Sequence, residues 1–210
     1  MIQELFNQNR LFSILHEELT GKVGADHPLL RELMDYVDLY ARANRVSVET
    51  AEASYLKFIA AYRKDVLEFA RTGHYPTGGR EIARVEYDLA LLLSTVLTWP
   101  RFRIMQLLVA RAMSADRSLF VGVGSGVELH LLRHRVQNAE AFDLRINPFL
   151  RELMPSVAFR EEEFKAGRGG YGQIFLIEIL EHLDDPFHLV SQCVRSLQVG
   201  GQIHLTTATN

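Results

Sequence analysis

The stretch Leu119-Phe120-Val121-Gly122-Val123-Gly124-Ser125-Gly126 constrains this chain more than any other. Apolar strand-forming residues run directly into three alternating glycines, and residues 127–135 then read as a helix. A strand that becomes a helix over so few residues needs a sharply bending backbone. Glycine supplies it, and lets a ligand approach with no Cβ in the way. The spacing is G-x-G-x-G. The dinucleotide fingerprint is G-x-G-x-x-G, whose third glycine would fall on Val127. The turn therefore suits a nucleoside better than a pyrophosphate-bridged dinucleotide.

The rest of this half keeps the same rhythm. Strands are expected at 118–123, 141–144, 157–160, 173–179 and 202–207, with helices at 127–135, 148–153 and 187–197 between them. The run 173–179 is nearly all apolar, as a parallel strand buried on both faces should be. Alternation of this kind predicts an α/β fold, a doubly wound, mostly parallel, Rossmann-like sheet. The chain ends at Asn210, so the sheet is expected to be truncated after its fifth strand.

Residues 1–114 read differently, as a helical N-terminal segment. Leu5, Phe6, Leu11, Phe12, Ile14 and Leu15 predict one helix over 1–19, ended by a breaker stretch at 20–24. Asp26 is the expected cap of the next helix, with Pro28 in its first turn. Ser47 is expected to cap a third, along which Tyr55, Phe58, Ile59, Tyr62, Val66 and Phe69 form one apolar stripe. A loop at 74–79 precedes helices at 80–98 and 101–113, separated at Pro100. The domain division is accordingly placed at 1–114 and 115–210.

Composition narrows the function classes. Over 210 residues the net charge is −3, which argues against a nucleic-acid partner held by a basic field. The single cysteine excludes a disulfide framework and a zinc site of several thiolates. No apolar run approaches the roughly 20 residues that span a bilayer, and no signal-peptide stretch opens the sequence, so no membrane partner and a cytoplasmic location are expected.

Asp143, at the end of the second strand, adds chemistry. An acid at that place can accept both hydroxyls of a ribose; its competing role is to cap the following helix. With it the segment 118–210 resembles the class I S-adenosylmethionine-dependent methyltransferases. Gly122, Gly124 and Gly126 match that family's first motif, and Asp143 its ribose-binding acid. Glu178-Ile179-Leu180-Glu181-His182-Leu183-Asp184-Asp185-Pro186 matches the motif after the fourth strand, and Leu197-Gln198-Val199-Gly200-Gly201 the turn before the fifth. Three positions depart: Phe120 and Gly172 stand where the family has acids, and Val199 where it has proline.

The resemblance implies S-adenosylmethionine as cofactor and methyl transfer to an oxygen or nitrogen of a small-molecule acceptor. Gly122, Gly124 and Gly126 would bring backbone close to the cofactor. Phe142, Leu144 or Phe164 would flank the adenine, and Glu163 or Glu162 would face its amino group. Ile177 and Glu178 would lie at the carboxyl end of the fourth strand. His182 is the candidate catalytic base, since imidazole takes protons near neutral pH; its competing role is to order its loop. Two rivals share the fold: aminocarboxypropyl transfer of the nicotianamine synthase type, and a non-catalytic binding module. Among remaining candidates, His130 and His134 have the i, i+4 spacing of metal ligands, but no third ligand is evident and no metal is expected. Tyr75-Pro76 and Arg80 could close over the site, Arg101 and Arg103 could meet the cofactor's carboxylate, and Tyr87 and Trp99 could line an acceptor pocket. The N-terminal helices could also pair two copies as a homodimer.

Overall fold

A computed structural model describes residues 1–73, 83–167 and 169–207. The chain divides into two units, Met1–Phe102 and Arg103–Asn210. The division falls earlier than the change of rhythm at Ser114, within a helix that joins them.

The first unit is helical: α1 (Ile2–Gln8), α2 (Arg10–Val23), α3 (Pro28–Ala43), α4 (Val48–Thr72) and α5 (Arg84–Leu97), with α6 (Trp99–Arg111) crossing the division. The single helix expected over 1–19 is two, because Asn9 breaks the ladder and caps α2 by accepting the Leu11 N–H at 2.9 Å. Its amide also donates to Glu52 of α4 at 2.6 Å. Gly21 lies inside α2, which runs on to Val23. His27, not Asp26, caps α3, its Nδ1 accepting the Leu29 N–H at 3.2 Å. Helix α6 starts at Trp99, so Pro100 sits in its first turn, where a missing N–H costs nothing. Along α4 only Tyr55 of the expected stripe is buried, while Ile59, Tyr62 and Val66 are exposed. The helix with apolar residues on several faces is α5, which packs against α2, α3 and α4. Its buried Asp88 is neutralised by Arg84 at 3.1 Å.

The second unit holds a parallel five-stranded sheet of order β3-β2-β1-β4-β5. Its strands are β1 (Ala115–Val121), β2 (Val136–Asp143), β3 (Ala158–Glu161), β4 (Tyr171–Ile177) and β5 (Leu197–Thr206). Helices α7 (Val127–Leu132), α8 (Pro148–Leu153) and α9 (Pro186–Ser196) connect them. From β1 the chain winds one way through β2 and β3, then returns to β4 and β5 on the other side. Right-handed crossovers then place α7 and α8 on one face and α9 on the other. On the α9 face Leu119, Val121, Ile174 and Leu176 pack with Leu189 and Cys193. Burial there pushes the Cys193 thiol up to about 12, which leaves it inert.

The opposite face carries a ladder of rings. Phe120 pairs in register with Phe175, and Phe175 with His204. The rings stack at centroid distances of 4.4 and 4.7 Å. Beside them lies fully buried Gln173. Its Nε2 donates to the Met113 carbonyl at 2.6 Å, and its Oε1 accepts the Met113 N–H at 2.8 Å. That orientation makes Oε1 the acceptor for His204 Nε2 at 3.1 Å, so His204 carries its proton on Nε2. One side chain thus ties the entry of β1 to both β4 and β5.

Gln173→Leu is expected to lower the unfolding free energy by about 1–3 kcal/mol in a urea titration, because Met113 loses both partners; a change below about 0.5 kcal/mol would contradict the tie. Burial holds the His204 imidazole below its ordinary value. The unfolded chain therefore binds the proton more readily, and stability is full above about pH 6.5 and falls as the pH drops below it. His204→Phe should flatten that decline. An identical profile in the variant would show that other groups cause it.

Candidate functional site

The strand order reverses between β1 and β4, so the chain leaving the two strands parts in opposite directions and opens a crevice at their carboxyl ends. Every residue of interest reaches that end by its place in the sheet. The Gly122 N–H still donates to Phe142 O at 2.8 Å, continuing the β1–β2 ladder to the first glycine. The chain then lifts away, with φ of +77°, +51° and +75° at Gly122, Gly124 and Gly126. Side chains rarely tolerate that region, which is why the sequence needs glycine at alternate positions.

Asp143 closes β2, and its carboxylate faces the turn. Oδ2 accepts the Gly124 N–H at 3.1 Å, and Oδ1 accepts the Arg145 N–H at 3.1 Å. The competing role as a helix cap is excluded: α8 is capped by Asn147, which accepts the Phe149 N–H at 3.1 Å. Glu161, in register with Asp143 on β3, accepts from Ile146 N–H at 3.0 Å and from Arg151 at 3.3 Å. Glu161, the first of three consecutive glutamates, thus orders the loop before α8.

On the other side of the crevice β4 ends at Ile177. Glu178 follows with φ +53°, a left-handed backbone at a non-glycine residue. The next side chain, Ile179, lies over the first glycine: a Cβ on Gly122 would be 2.5 Å from Ile179 Cδ1. A single 3-10 turn, Leu180–His182, comes next. It is held by the His182 N–H to Ile179 O bond at 3.0 Å and by Thr207, whose hydroxyl donates to Glu181 Oε2 at 3.2 Å. Asp185 caps α9 through the His188 N–H at 3.0 Å. The His182 ring is exposed and makes no hydrogen bond among the described residues. This loop is therefore ordered by its backbone and its acids, and the imidazole is left available at the crevice end.

The structure thus brings together Gly122, Gly124, Gly126, Asp143, Ile177 and Glu178. Leu144 stands beside them, 68% exposed. Phe164 is buried in the α9-side core, meets Phe142 edge-on at 5.2 Å and so backs that ring, and it borders the cleft beside α9. Glu163 is exposed and lines, with His188, Gln192 and Arg195, an open cleft of about 580 Å³ whose lining excludes the glycine turn. A separate cavity touching Gly122 and Ile177 measures about 10 Å³, room for one water at most. On the crest above the turn Gly122, Gly124, Asp143 and Glu178 are all half-buried.

Several further candidates belong elsewhere. Helix α7 ends at Leu132, so His134 is not on the same helix as His130. No cluster of metal-ligating side chains occurs among the described residues. Arg103 pairs with Gln106 in its own helix. Tyr87 packs on Phe58 at 5.8 Å, and Trp99 on Phe102 at 6.3 Å. Tyr75, Pro76 and Arg80 lie outside the described residues. Sequence reading missed the positions of Ile179, Thr206 and Thr207; the signal present was a glycine at 122, which marks a close approach without naming what approaches.

Two departures from the family pattern have local causes. Phe120 is core, 3% exposed, in the ring ladder. Gly172 sits at a register shift in β4, where a Cβ would lie 2.9 Å from Ala115 Cβ and 3.2 Å from Gln198 Nε2, leaving no space for an acid.

Comparison with known proteins points the same way. No family model matches the sequence. The ubiquinone biosynthesis O-methyltransferase of Dechloromonas aromatica (strain RCB) is 29% identical over 108 residues, 47% of this chain and 47% of the relative. That of Pseudomonas aeruginosa (strain UCBPP-PA14) is 26% identical over 105 residues, 45% of each. Over a segment, this chain resembles the class I S-adenosylmethionine-dependent methyltransferases. It spans about half the length of the curated relatives it matches. Among solved structures, the N-methyltransferase NodS from Bradyrhizobium japonicum WM9, in complex with S-adenosyl-L-homocysteine, superposes with a TM-score of 0.40 at 15% identity, covering 49% of this chain and 57% of that one. The DhpI-SAM-HEP complex gives 0.44 at 19%, covering 57% and 58%. Likeness at that level carries no argument about function.

Gly122→Ala is expected to destabilise the second unit by about 1–2 kcal/mol from the left-handed backbone alone, and by more if Ile179 cannot move aside. Thermal unfolding measures it. An unchanged midpoint would contradict the left-handed turn at Gly122, and a loss confined to about 1–2 kcal/mol would mean that Ile179 moves aside.

Proposed function

We propose that the second unit binds S-adenosylmethionine and that the chain takes part in methyl transfer to an oxygen or nitrogen of a small molecule. One observation carries this reading: the Asp143 carboxylate is fixed on the Gly124 N–H, on the crest of a turn with three left-handed glycines. A second strand ending in an acid that merely capped a helix would not present it there.

The residues present suit the cofactor. Asp143 has the two oxygens that ribose hydroxyls require, and charge-assisted hydrogen bonds of this kind are the stronger sort. Gly122 and Gly124 keep the crest bare of side chains. Phe142, half-buried and backed by Phe164, and the exposed Leu144 offer apolar surface for a base. Glu163, the candidate for its amino group, lines the cleft beside α9 and not the crest. Ile177, Glu178 and Ile179 form the wall on the β4 side, next to the methionine portion. When bound, the cofactor supplies an electrophilic methyl group. The protein's task is to orient it, exclude water and aim the acceptor, since a direct displacement depends on alignment. His182 is the group to take the acceptor's proton, being an imidazole at the crevice end with no other commitment among the described residues.

An oxygen acceptor is favoured by the two curated relatives, both named as O-methyltransferases. The acceptor is a small molecule in this reading, and the net charge of −3 gives no general attraction for nucleic acid. No helix of the described residues is long and apolar enough to cross a membrane. A cytoplasmic location and pairing through the N-terminal helices remain part of the proposal.

Asp143→Ala is expected to weaken binding of S-adenosylhomocysteine at least tenfold by isothermal titration, about 1.4 kcal/mol. Unchanged affinity in a folded variant would remove the ribose role from Asp143.

A further inference from the structure

We infer that Thr206, at the end of β5, is a positioning residue that sets the β4-side wall of the cofactor crest. This rests on the cofactor reading above. Glu178 is one of two non-glycine residues with positive φ among those described, the other being Arg45. A left-handed residue at a ligand-facing strand end persists only where its surroundings hold it. Here the hold is visible. The Glu178 N–H donates to the Thr206 carbonyl at 3.2 Å and to the Thr206 hydroxyl at 3.1 Å. One donor thus meets two acceptors of a single residue.

The residue just after β5 adds a second tie. Thr207 donates its hydroxyl to Glu181 at 3.2 Å. Consecutive threonines at the end of β5 therefore strap the Glu-Ile-Leu-Glu segment at both ends, Glu178 by its backbone N–H and Glu181 by its carboxylate. Between the straps lies Ile179, whose side chain rests on Gly122. Where Glu178 turns decides where Ile179 lands, and where Ile179 lands decides how much of the glycine turn is open. The Thr206 hydroxyl touches neither the turn nor Asp143 in the described contacts, and acts through Glu178 alone.

Thr206→Val keeps the shape and the β-branching and removes only the hydroxyl. Titrated calorimetrically with S-adenosylhomocysteine, the Val variant is expected to bind at least about fivefold more weakly than the wild type. Thr206→Ser should return to within roughly twofold, with thermal midpoints of all three agreeing within about 3 °C. Hydrogen exchange at the Glu178 amide, read without ligand, should quicken in the Val variant and not in the Ser variant. Wild-type affinity in the Val variant would overturn the inference, as would unchanged exchange at Glu178. A loss of binding that only follows a fallen midpoint, and that serine does not restore, would make Thr206 merely structural. Failure of the wild type itself to bind S-adenosylhomocysteine would instead sink the cofactor reading, and this inference with it.

Discussion

Strand β1 lies between β2 and β4, and the chain winds away from it in both directions. That reversal sends successive crossovers to opposite faces and leaves the carboxyl ends of β1 and β4 without a connection bridging them. Such a gap is where open parallel sheets take ligands. Here it is flanked by left-handed glycines after β1 and by a left-handed Glu178 after β4. Asp143 looks in from β2, and Thr206 and Thr207, at and just past the end of β5, hold Glu178 and Glu181. The strands between supply only the rigid frame.

That frame is bound across its width on the face opposite α9. Three stacked rings span β1, β4 and β5, and one buried amide joins β4 and β5 to Met113, two residues ahead of β1. Burying a ring the size of Phe120 is worth about 2 kcal/mol, and its neighbours gain from the same register. Position 120, where the family has an acid, has gone to packing. Gly172 tells a similar story, since the close passage of Ala115 and Gln198 admits no side chain.

The sheet was legible in the sequence because its evidence is local. A buried parallel strand is an apolar run, and glycines punctuate its exit. The order of types survived, while ends shifted by a few residues wherever propensity alone had to place them: β2 begins at Val136, well before the apolar run at 141, because Val136 and Asn138 pair with β1 in spite of their polar neighbours. In the helical unit the apolar period ran unbroken across Asn9, so the break, made by hydrogen bonds to Leu11 and Glu52, left no trace in the pattern. The stripe on α4 showed the converse, since periodicity says which residues share a face and not whether anything covers it. For the site, Asp143 and the glycines could be read because turn chemistry restricts residue type. The Thr206 strap could not, because a threonine near a strand end is ordinary until Glu178 is seen to turn left-handed beside it.

The central claim is that the bare crest between Gly122 and Gly126, watched by Asp143, receives the adenosyl group. The most direct measurement is the amide spectrum of isotope-labelled protein as S-adenosylhomocysteine is added. The account predicts saturable shifts concentrated at Gly122, Gly124, Asp143 and Ile179, the amides around the crevice. Shifts confined to the cleft beside α9, or none at these four amides at saturating ligand, would contradict it.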